Sequence, residues 1–228
     1  MKKCLGLLLI ALCSASLQSV FAQSSDDAQA KNFEGVSAAV GLRVTGSKTT
    51  FNGGPNDGLQ VDKNSAGGVL DFSYSKSVSE RWLIGGGFRY DLGSSDGGQS
   101  IFTTSTVIYK TTTKISNHYS VYFKPTFAPT EKVAIFAKVG FNGGTNKFTD
   151  QNGQMYSWSS LDVKINKNVK GIGYGFGALL MMNKNIFISG EYSRVNFSRV
   201  TLGNPNPSVT ASSKTNLNQG ILSVGYKF

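Results

Sequence analysis

The sequence has little proline, a single histidine and only two cysteines: 5 Pro, 1 His and 2 Cys in 228 residues. Both cysteines, Cys4 and Cys13, lie in a segment that we expect to be removed. The mature chain would then have no thiol, disulfide or cysteine-based metal site. No stretch is continuously apolar over the ~20 residues that a bilayer-spanning helix needs. If the mature chain enters a membrane, it must therefore do so as a closed β-barrel.

The first 22 residues have the pattern of an export signal. A basic start is followed by an apolar run over 5–12 and by small or branched residues up to Ala22. We expect cleavage after Ala22, which leaves residues 23–32 as a short polar segment, disordered in the periplasm. Cys13 raises a lipoprotein alternative, but Leu12 disfavours it because that processing needs a small residue before the cysteine.

The chain is strongly basic, with a formal net charge of +10 at pH 7. Nucleic-acid-binding domains concentrate basic residues in a patch or stripe, whereas here lysines and arginines are scattered singly. The composition therefore argues against a nucleic-acid partner. The scattered charges fit solvated loop tips first and, as a specific partner, the phosphates of lipopolysaccharide. No group of His, Asp and Glu has metal-ligand spacing, so we assign no metal site and no cofactor.

Eight segments alternate between apolar and polar residues with the period of two that is typical of β-strands. We place them at 33–45, 66–78, 81–93, 118–127, 133–144, 171–182, 186–197 and 215–228. Tight turns at 79–80, 128–132 and 183–185 alternate with long segments at 46–65, 94–117, 145–170 and 198–214. Pro125 cannot donate to a strand ladder, so the fourth strand must bulge or end there. This layout predicts an all-β, eight-stranded antiparallel up-and-down transmembrane barrel over 33–228, with short periplasmic turns and long extracellular loops.

The apolar face of each strand is expected to contact lipid. The opposite face combines glycines with charges near mid-strand, and small and charged residues suit a narrow interior. A Lys or Arg facing lipid at the midplane would cost ~2–4 kcal/mol, which this orientation avoids. It directs into the lumen a network of five bases and three acids that can pair: Arg43, Asp71, Arg89, Asp91, Lys124, Lys138, Glu191 and Lys227.

The final strand carries an apolar stripe, Leu222, Val224, Tyr226 and Phe228, and ends on an aromatic residue. This pattern resembles the C-terminal assembly signal of bacterial outer-membrane barrels, which implies recognition by the barrel-assembly machinery. With the strand layout and the lumenal charges, the mature chain resembles the small outer-membrane barrels. That family includes the transmembrane domain of outer-membrane protein A, the outer-membrane protein X/Ail adhesins and the opacity-type proteins. The resemblance implies a location in the outer membrane, and we expect a monomer.

An enzymatic interpretation rests on His118 and Ser120, a His-x-Ser pair that resembles the one in outer-membrane lipid A deacylases. Val121 stands where that family leads us to expect Asn. The pair shares the lumenal face with Lys124, whereas a lipid-cleaving site must face the leaflet. Glu131, the candidate third member, lies in a predicted periplasmic turn. We therefore assign no catalytic residue.

Two further functions remain. Eight strands enclose an interior just wide enough for side chains to fill it, so a paired lumen predicts a plug, with a small narrow channel as the alternative. Segments 106–115 and 155–165 alternate and could extend the wall above the membrane, where an edge would allow β-augmentation. Aromatic and basic residues of the long segment 145–170 form a candidate contact surface for lipopolysaccharide or for a host or envelope protein: Lys147, Tyr156, Trp158, Lys164, Lys167 and Lys170. We expect a structural or adhesin-like role without catalysis.

Overall fold

The computed structural model describes residues 29–52, 58, 60–103, 108–151, 163–202 and 211–228. A short 3-10 helix, η1 (Gln29–Phe33), precedes the strands. The strands are β1 (Gly35–Asn52), β2 (Gln60–Ser77), β3 (Trp82–Leu92), β4 (Ser95–Thr103), β5 (Ile108–Phe123), β6 (Thr126–Phe127), β7 (Val133–Gln151), β8 (Val163–Met181), β9 (Ile186–Phe197), β10 (Val200–Leu202) and β11 (Ala211–Lys227). Among these residues no helix is long and apolar enough to cross a membrane.

The strands close into a barrel of eight walls. Three walls consist of two segments each, because β4 continues β3, β6 continues β5 and β10 continues β9. Each wall pairs antiparallel with its neighbours in the chain, and β1 also pairs with β11 from Ser37↔Lys227 to Asn52↔Ser212. The predicted eight-stranded up-and-down barrel is confirmed.

The strand faces have the predicted orientation. Large apolar side chains point outward, and Leu42, Phe141 and Phe176 are 74%, 73% and 64% exposed. Arg43 and Asp91 lie inside and are each 1% exposed. An exterior of apolar residues around a polar interior is the arrangement that a lipid environment requires.

The strands continue well beyond the predicted boundaries. Residues 46–52 and 60–65 were expected to be loop but form a regular β1–β2 ladder up to Thr50↔Gln60. The same holds for much of 94–117 and 145–170, and for 211–214. These segments are polar and rich in Gly, Ser, Thr and Asn, so their composition indicated loops, although cross-strand pairing makes them strands. We call these strand ends beyond the apolar band the outer extension: 45–52, 60–67, 95–103, 108–116, 143–151, 163–170, 200–202 and 211–219.

Two further details differ from or refine the sequence-based expectations. The strand ladder breaks at Lys124 and Pro125, between β5 and β6, and Lys124 N and Pro125 O keep hydrogen bonds to Gly85 O and Ala137 N. The prediction that the segment up to residue 32 is disordered is wrong for residues 29–32. They form most of η1, whose Ala30 N donates to Glu80 O at 2.8 Å.

Candidate functional site

Four charged residues from four strands meet in the middle of the lumen, and we call them the ionic tetrad. Arg89 donates to both carboxylate oxygens of Glu191, at 2.7 and 2.6 Å. Its Nε also donates to Asp71 Oδ2 at 3.1 Å. Lys138 Nζ completes the set at 2.8 Å from Glu191 Oε2 and 3.1 Å from Asp71 Oδ2. Each acid therefore contacts both bases, which compensates the charge of all four groups.

Register and small residues bring the ionic tetrad together. Asp71 and Arg89 are direct cross-strand partners on β2 and β3. Tyr122 lies beside them and donates its hydroxyl to Asp71 Oδ1. A Cβ on Gly87 would lie 2.5 Å from the Tyr122 hydroxyl, so only glycine leaves room for this ring. The glycines of the lumenal face thus create space for large residues on other strands.

A second group, which we call the histidine cluster, surrounds Asp91. Oδ2 of Asp91 lies 3.0 Å from Arg43 Nη1, 2.6 Å from His118 Nδ1 and 3.0 Å from Gln219 Nε2. His118 Nε2 lies 3.1 Å from Asn142 Oδ1. His118 is 2% exposed, so it is a buried residue of the lumen. Sequence reasoning missed Asn142 and Gln219 as partners, although both lie on the lumenal face of their strands.

The two remaining predicted lumenal charges stand apart from these clusters. Lys124 Nζ donates to Ser73 Oγ at 3.0 Å, and Lys227 Nζ donates to Asn32 O at 2.9 Å. Among the described residues neither lysine lies within ion-pairing distance of a carboxylate. The eight predicted charges therefore form two paired clusters and two separate lysines, not one network.

An apolar layer closes the periplasmic end of the lumen. Phe33 of η1 is 8% exposed and packs in a cluster with Leu83, Met181 and Phe187. Asn32 fixes the helix at two points. Its Nδ2 donates to Glu131 O in a periplasmic turn, and its backbone O accepts from Lys227 Nζ on β11. Phe33, predicted to begin the first strand, instead ends η1 and fills the barrel mouth. We call this layer the periplasmic cap.

Small cavities interrupt the packing of the lumen. A cavity of ≈ 20 Å³ lies between the histidine cluster and the ionic tetrad, lined by His118, Glu191 and Gln219. A second, of ≈ 30 Å³, lies on the other side of the ionic tetrad and is lined by Asp71 and Lys124. A third of ≈ 30 Å³ lies beneath the periplasmic cap. Each has room for about one or two waters.

The geometry around His118 does not favour nucleophilic catalysis. Activation of a serine requires a ring nitrogen of the base to accept the hydroxyl proton. Both ring nitrogens of His118 have partners, Asp91 and Asn142, and Ser120 is not one of them. Glu131 lies in the turn between β6 and β7, at the opposite end of the lumen. Among the described residues, moreover, no group of three His, Cys, Asp or Glu could hold a metal ion.

The candidate assembly signal forms the last part of β11. Leu222, Val224 and Tyr226 face outward, and Phe228 is 72% exposed. The Tyr226 and Phe228 rings meet edge to face at 5.1 Å. Because β11 pairs with β1, this stripe borders the seam at which the barrel closes.

The candidate contact surface lies only partly within the described residues. Tyr156 and Trp158 fall outside them, and nothing is said of their structure. Lys147 on β7 and Lys164 and Lys170 on β8 are exposed on the outward face, and Lys167 is exposed on the alternate face. Register places Lys147 opposite Asn166 and, on its other side, Lys114 of β5. The outer extension therefore presents a basic face across three neighbouring strands.

An acidic residue interrupts this basic face at one place. Asp96 lies 3.2 Å from Lys63 and 3.4 Å from Lys114. Partial burial would raise the pKa of the Asp96 carboxyl, but the two ammonium groups outweigh it and lower the pKa below its usual value.

Comparison with known proteins gives one family match over nearly the whole chain. The family model described as outer membrane protein beta-barrel domain matches residues 5–228. Comparison with curated proteins finds no match.

Solved structures similar to the chain include three outer-membrane proteins. Ail, the attachment invasion locus protein of Yersinia pestis, crystallised with the heparin analogue sucrose octasulfate, is 20% identical over 86% of this chain and 99% of that chain, with a TM-score of 0.44. OprG from Pseudomonas aeruginosa is 12% identical over 86% and 96%, with a TM-score of 0.48. The protease OmpT from Escherichia coli is 10% identical over 85% and 97%, with a TM-score of 0.36.

Proposed function

This chain belongs to the outer membrane protein β-barrel domain family, and we propose that it is a non-catalytic surface-interaction protein with a closed lumen. The observation that carries the proposal is the packing of the lumen. An apolar cap, a charge-compensated ionic tetrad and a hydrogen-bonded histidine cluster fill successive levels of the interior. A barrel of eight strands has no further width in which a channel could pass these layers.

The alternative function is a small narrow channel. The three cavities support it, because Arg89, Lys138 and Glu191 line both the first and the second, and Lys124 lines both the second and the third. Conduction would require the ionic tetrad to open, which separates buried opposite charges and is unfavourable. The packing of the lumen therefore supports a closed barrel better than it supports a channel.

The outer extension is the part of the chain that we assign to binding. Its outward lysines attract anions, and the strand ladder holds these lysines in fixed register. We infer that the partner carries phosphate or carboxylate groups, as lipopolysaccharide or an acidic envelope or host protein does. Exposed charges of this kind act through steering and screening more than through tight pairing.

The test combines two measurements on the refolded barrel. In planar bilayers, single-channel recording of the wild type should show no discrete conductance. Lipopolysaccharide binding should weaken when Lys164, Lys167 and Lys170 are replaced together by Gln, and the difference should shrink with added salt, because exposed charges are screened beyond ~8–10 Å. The matched control replaces Lys132 and Lys184, which are exposed in the periplasmic turns. A steady open conductance would support the channel, and release of fatty acid from lipid A, abolished by Ser120→Ala, would support an enzyme.

A role of the C-terminal stripe in assembly is part of the same proposal. Phe228→Ala should reduce the amount of folded protein in the outer membrane while leaving the refolded barrel stable in detergent. The measurement is the heat-dependent gel shift of membrane fractions. An unchanged folded fraction would mean that Phe228 is only an interfacial aromatic.

A further inference from the structure

Positive charge exceeds negative charge in the part of the lumen from the ionic tetrad to the periplasmic cap, which we call the lower lumen. The ionic tetrad is balanced within itself, because Arg89 and Lys138 bind both Asp71 and Glu191. Lys124 adds one cation to this region without adding an ion pair. Its Nζ donates to Ser73 and lies 6.0 Å from the centre of the Phe136 ring. An ammonium group has three donors, and even a half-buried charge is unfavourable without a counter-ion.

A cavity with an unpaired hydroxyl lies beside this ammonium group. The cavity of ≈ 30 Å³ beneath the periplasmic cap has a polar lining of Lys124, Thr126, Ser75, Ser37 and Lys227, together with apolar side chains. Thr126 is 6% exposed, and its Oγ1 has no hydrogen-bond partner among the described residues. The lining of this cavity contains no acidic residue. Two independent features, a cation without a counter-ion and a buried hydroxyl without an acceptor, therefore border the same small space.

From this geometry we propose that Lys124 and Thr126 form a binding site for a monovalent inorganic anion of the size of chloride or bromide. The anion accepts hydrogen bonds from the Lys124 ammonium and the Thr126 hydroxyl and neutralises the excess charge of the lower lumen. The small volume selects against larger anions. The apolar wall formed by Leu83, Met181 and Phe187 suits a weakly hydrated halide better than a multiply charged oxyanion. The site lies inside the barrel and is separate from the outer extension.

The experiment measures the thermal unfolding midpoint of the refolded full barrel in a zwitterionic detergent. Sodium chloride and sodium bromide are compared with sodium gluconate at equal ionic strength, since gluconate is too large for the cavity but screens charges equally. The midpoint should rise with halide concentration in the wild type, because a ligand that binds the folded state stabilises it. Lys124→Met should abolish the halide-specific rise. Thr126→Val should weaken the apparent halide affinity by about tenfold, the scale of one charge-assisted hydrogen bond.

The matched control is Lys184→Met, which removes one exposed lysine from a periplasmic turn and should leave the halide-specific rise unchanged. Crystals soaked in bromide provide a direct readout, with an anomalous peak expected beside Lys124 Nζ. Equal responses to halide and gluconate in the wild type would overturn the proposal. So would bromide found beside surface lysines alone, which is an adventitious ion only. If Lys124→Met fails to fold, Thr126→Val and the bromide peak in the wild type decide the matter.

Discussion

The membrane-spanning part of the barrel and the outer extension differ in the face on which large apolar side chains lie, although the same strands run through both. Along β11, Leu222 faces outward and Ser223 inward within the apolar band. Nearer the start of the same strand, in the outer extension, Asn218 faces outward and Leu217 is 0% exposed inside. The inversion recurs on β1, where Arg43 lies inside the band and Phe51 inside the outer extension.

The medium outside each part explains the difference. In the bilayer, apolar residues gain nothing by facing inward, so the interior can hold charges that pair with one another. Beyond the bilayer the exterior is water, and apolar burial inside is favourable again. Phe51 and Phe148 meet there at 6.2 Å, and Leu217 and Val195 pack nearby. One continuous sheet is thus a membrane barrel at one end and resembles a soluble β-structure at the other.

The largest effect should come from unpairing the membrane-embedded interior. Glu191→Ala leaves Arg89 and Lys138 with one acid between them, and breaking such a buried set lowers the free energy of unfolding by ~3–5 kcal/mol, less where water enters. Urea unfolding in detergent micelles measures the loss. The matched control is Asp62→Ala, an exposed acid of the outer extension, which should change stability by less than ~1 kcal/mol. Similar losses in both variants would contradict the assignment of Glu191 to a paired, lumenal set of charges.

The interior of the outer extension should behave as a soluble core. Phe148 is 1% exposed, and Phe148→Ala should cost ~3–4 kcal/mol through lost burial and a cavity. The adjacent outward residue gives the control, since Lys147→Ala should have almost no effect. Unfolding in urea, combined with limited proteolysis of the outer extension, reports the change. Equal stability of the two variants would show that the outer extension has no packed core.

The cost of placing a charge on the outward face should depend on whether lipid or water surrounds it, even along a single strand. Val139 and Thr145 lie on the same outward face of β7, the first within the apolar band and the second above it. Val139→Lys should cost ~2–4 kcal/mol in lipid bilayers, whereas Thr145→Lys should be nearly neutral. Folding yield and stability in vesicles measure both variants. A penalty at Thr145 equal to that at Val139 would move the membrane boundary outward.

The smallest effect should be electrostatic and confined to the outer extension. The folded-state pKa of Asp96 is depressed, so its ion pairs with Lys63 and Lys114 stabilise the fold above its unfolded pKa, ~3.9. This contribution is lost as the pH falls through the lower folded value, and being partly exposed it is worth less than ~1 kcal/mol. Asp96→Asn should lose stability relative to wild type at pH 7, and this difference should be smaller at pH 2. An equal difference at both pH values would exclude the ion pairs as its cause.

Much of the barrel could be predicted because alternation is a local property. A period of two assigns each residue to one of two faces, and the chemistry of the faces assigns them to lipid or lumen. The ends of the strands could not be predicted this way. The Ser- and Thr-rich ladder from Thr45 to Asn52 has the composition of a loop, and only its partners on β2 and β11 make it a strand. Likewise, nothing local indicated that Phe33 fills the barrel mouth.

The sequence by itself determined the closed barrel, the orientation of its faces and the identity of the eight lumenal charges. Only the tertiary structure decided which of them meet, because residues on different strands come together through register, tilt and curvature, which alternation does not encode. Arg89 lies beside Glu191, 102 residues away, whereas Lys124 has no carboxylate within ion-pairing distance among the described residues. Glycines such as Gly87 add to this selection by leaving room for a large side chain, here Tyr122, on the neighbouring strand.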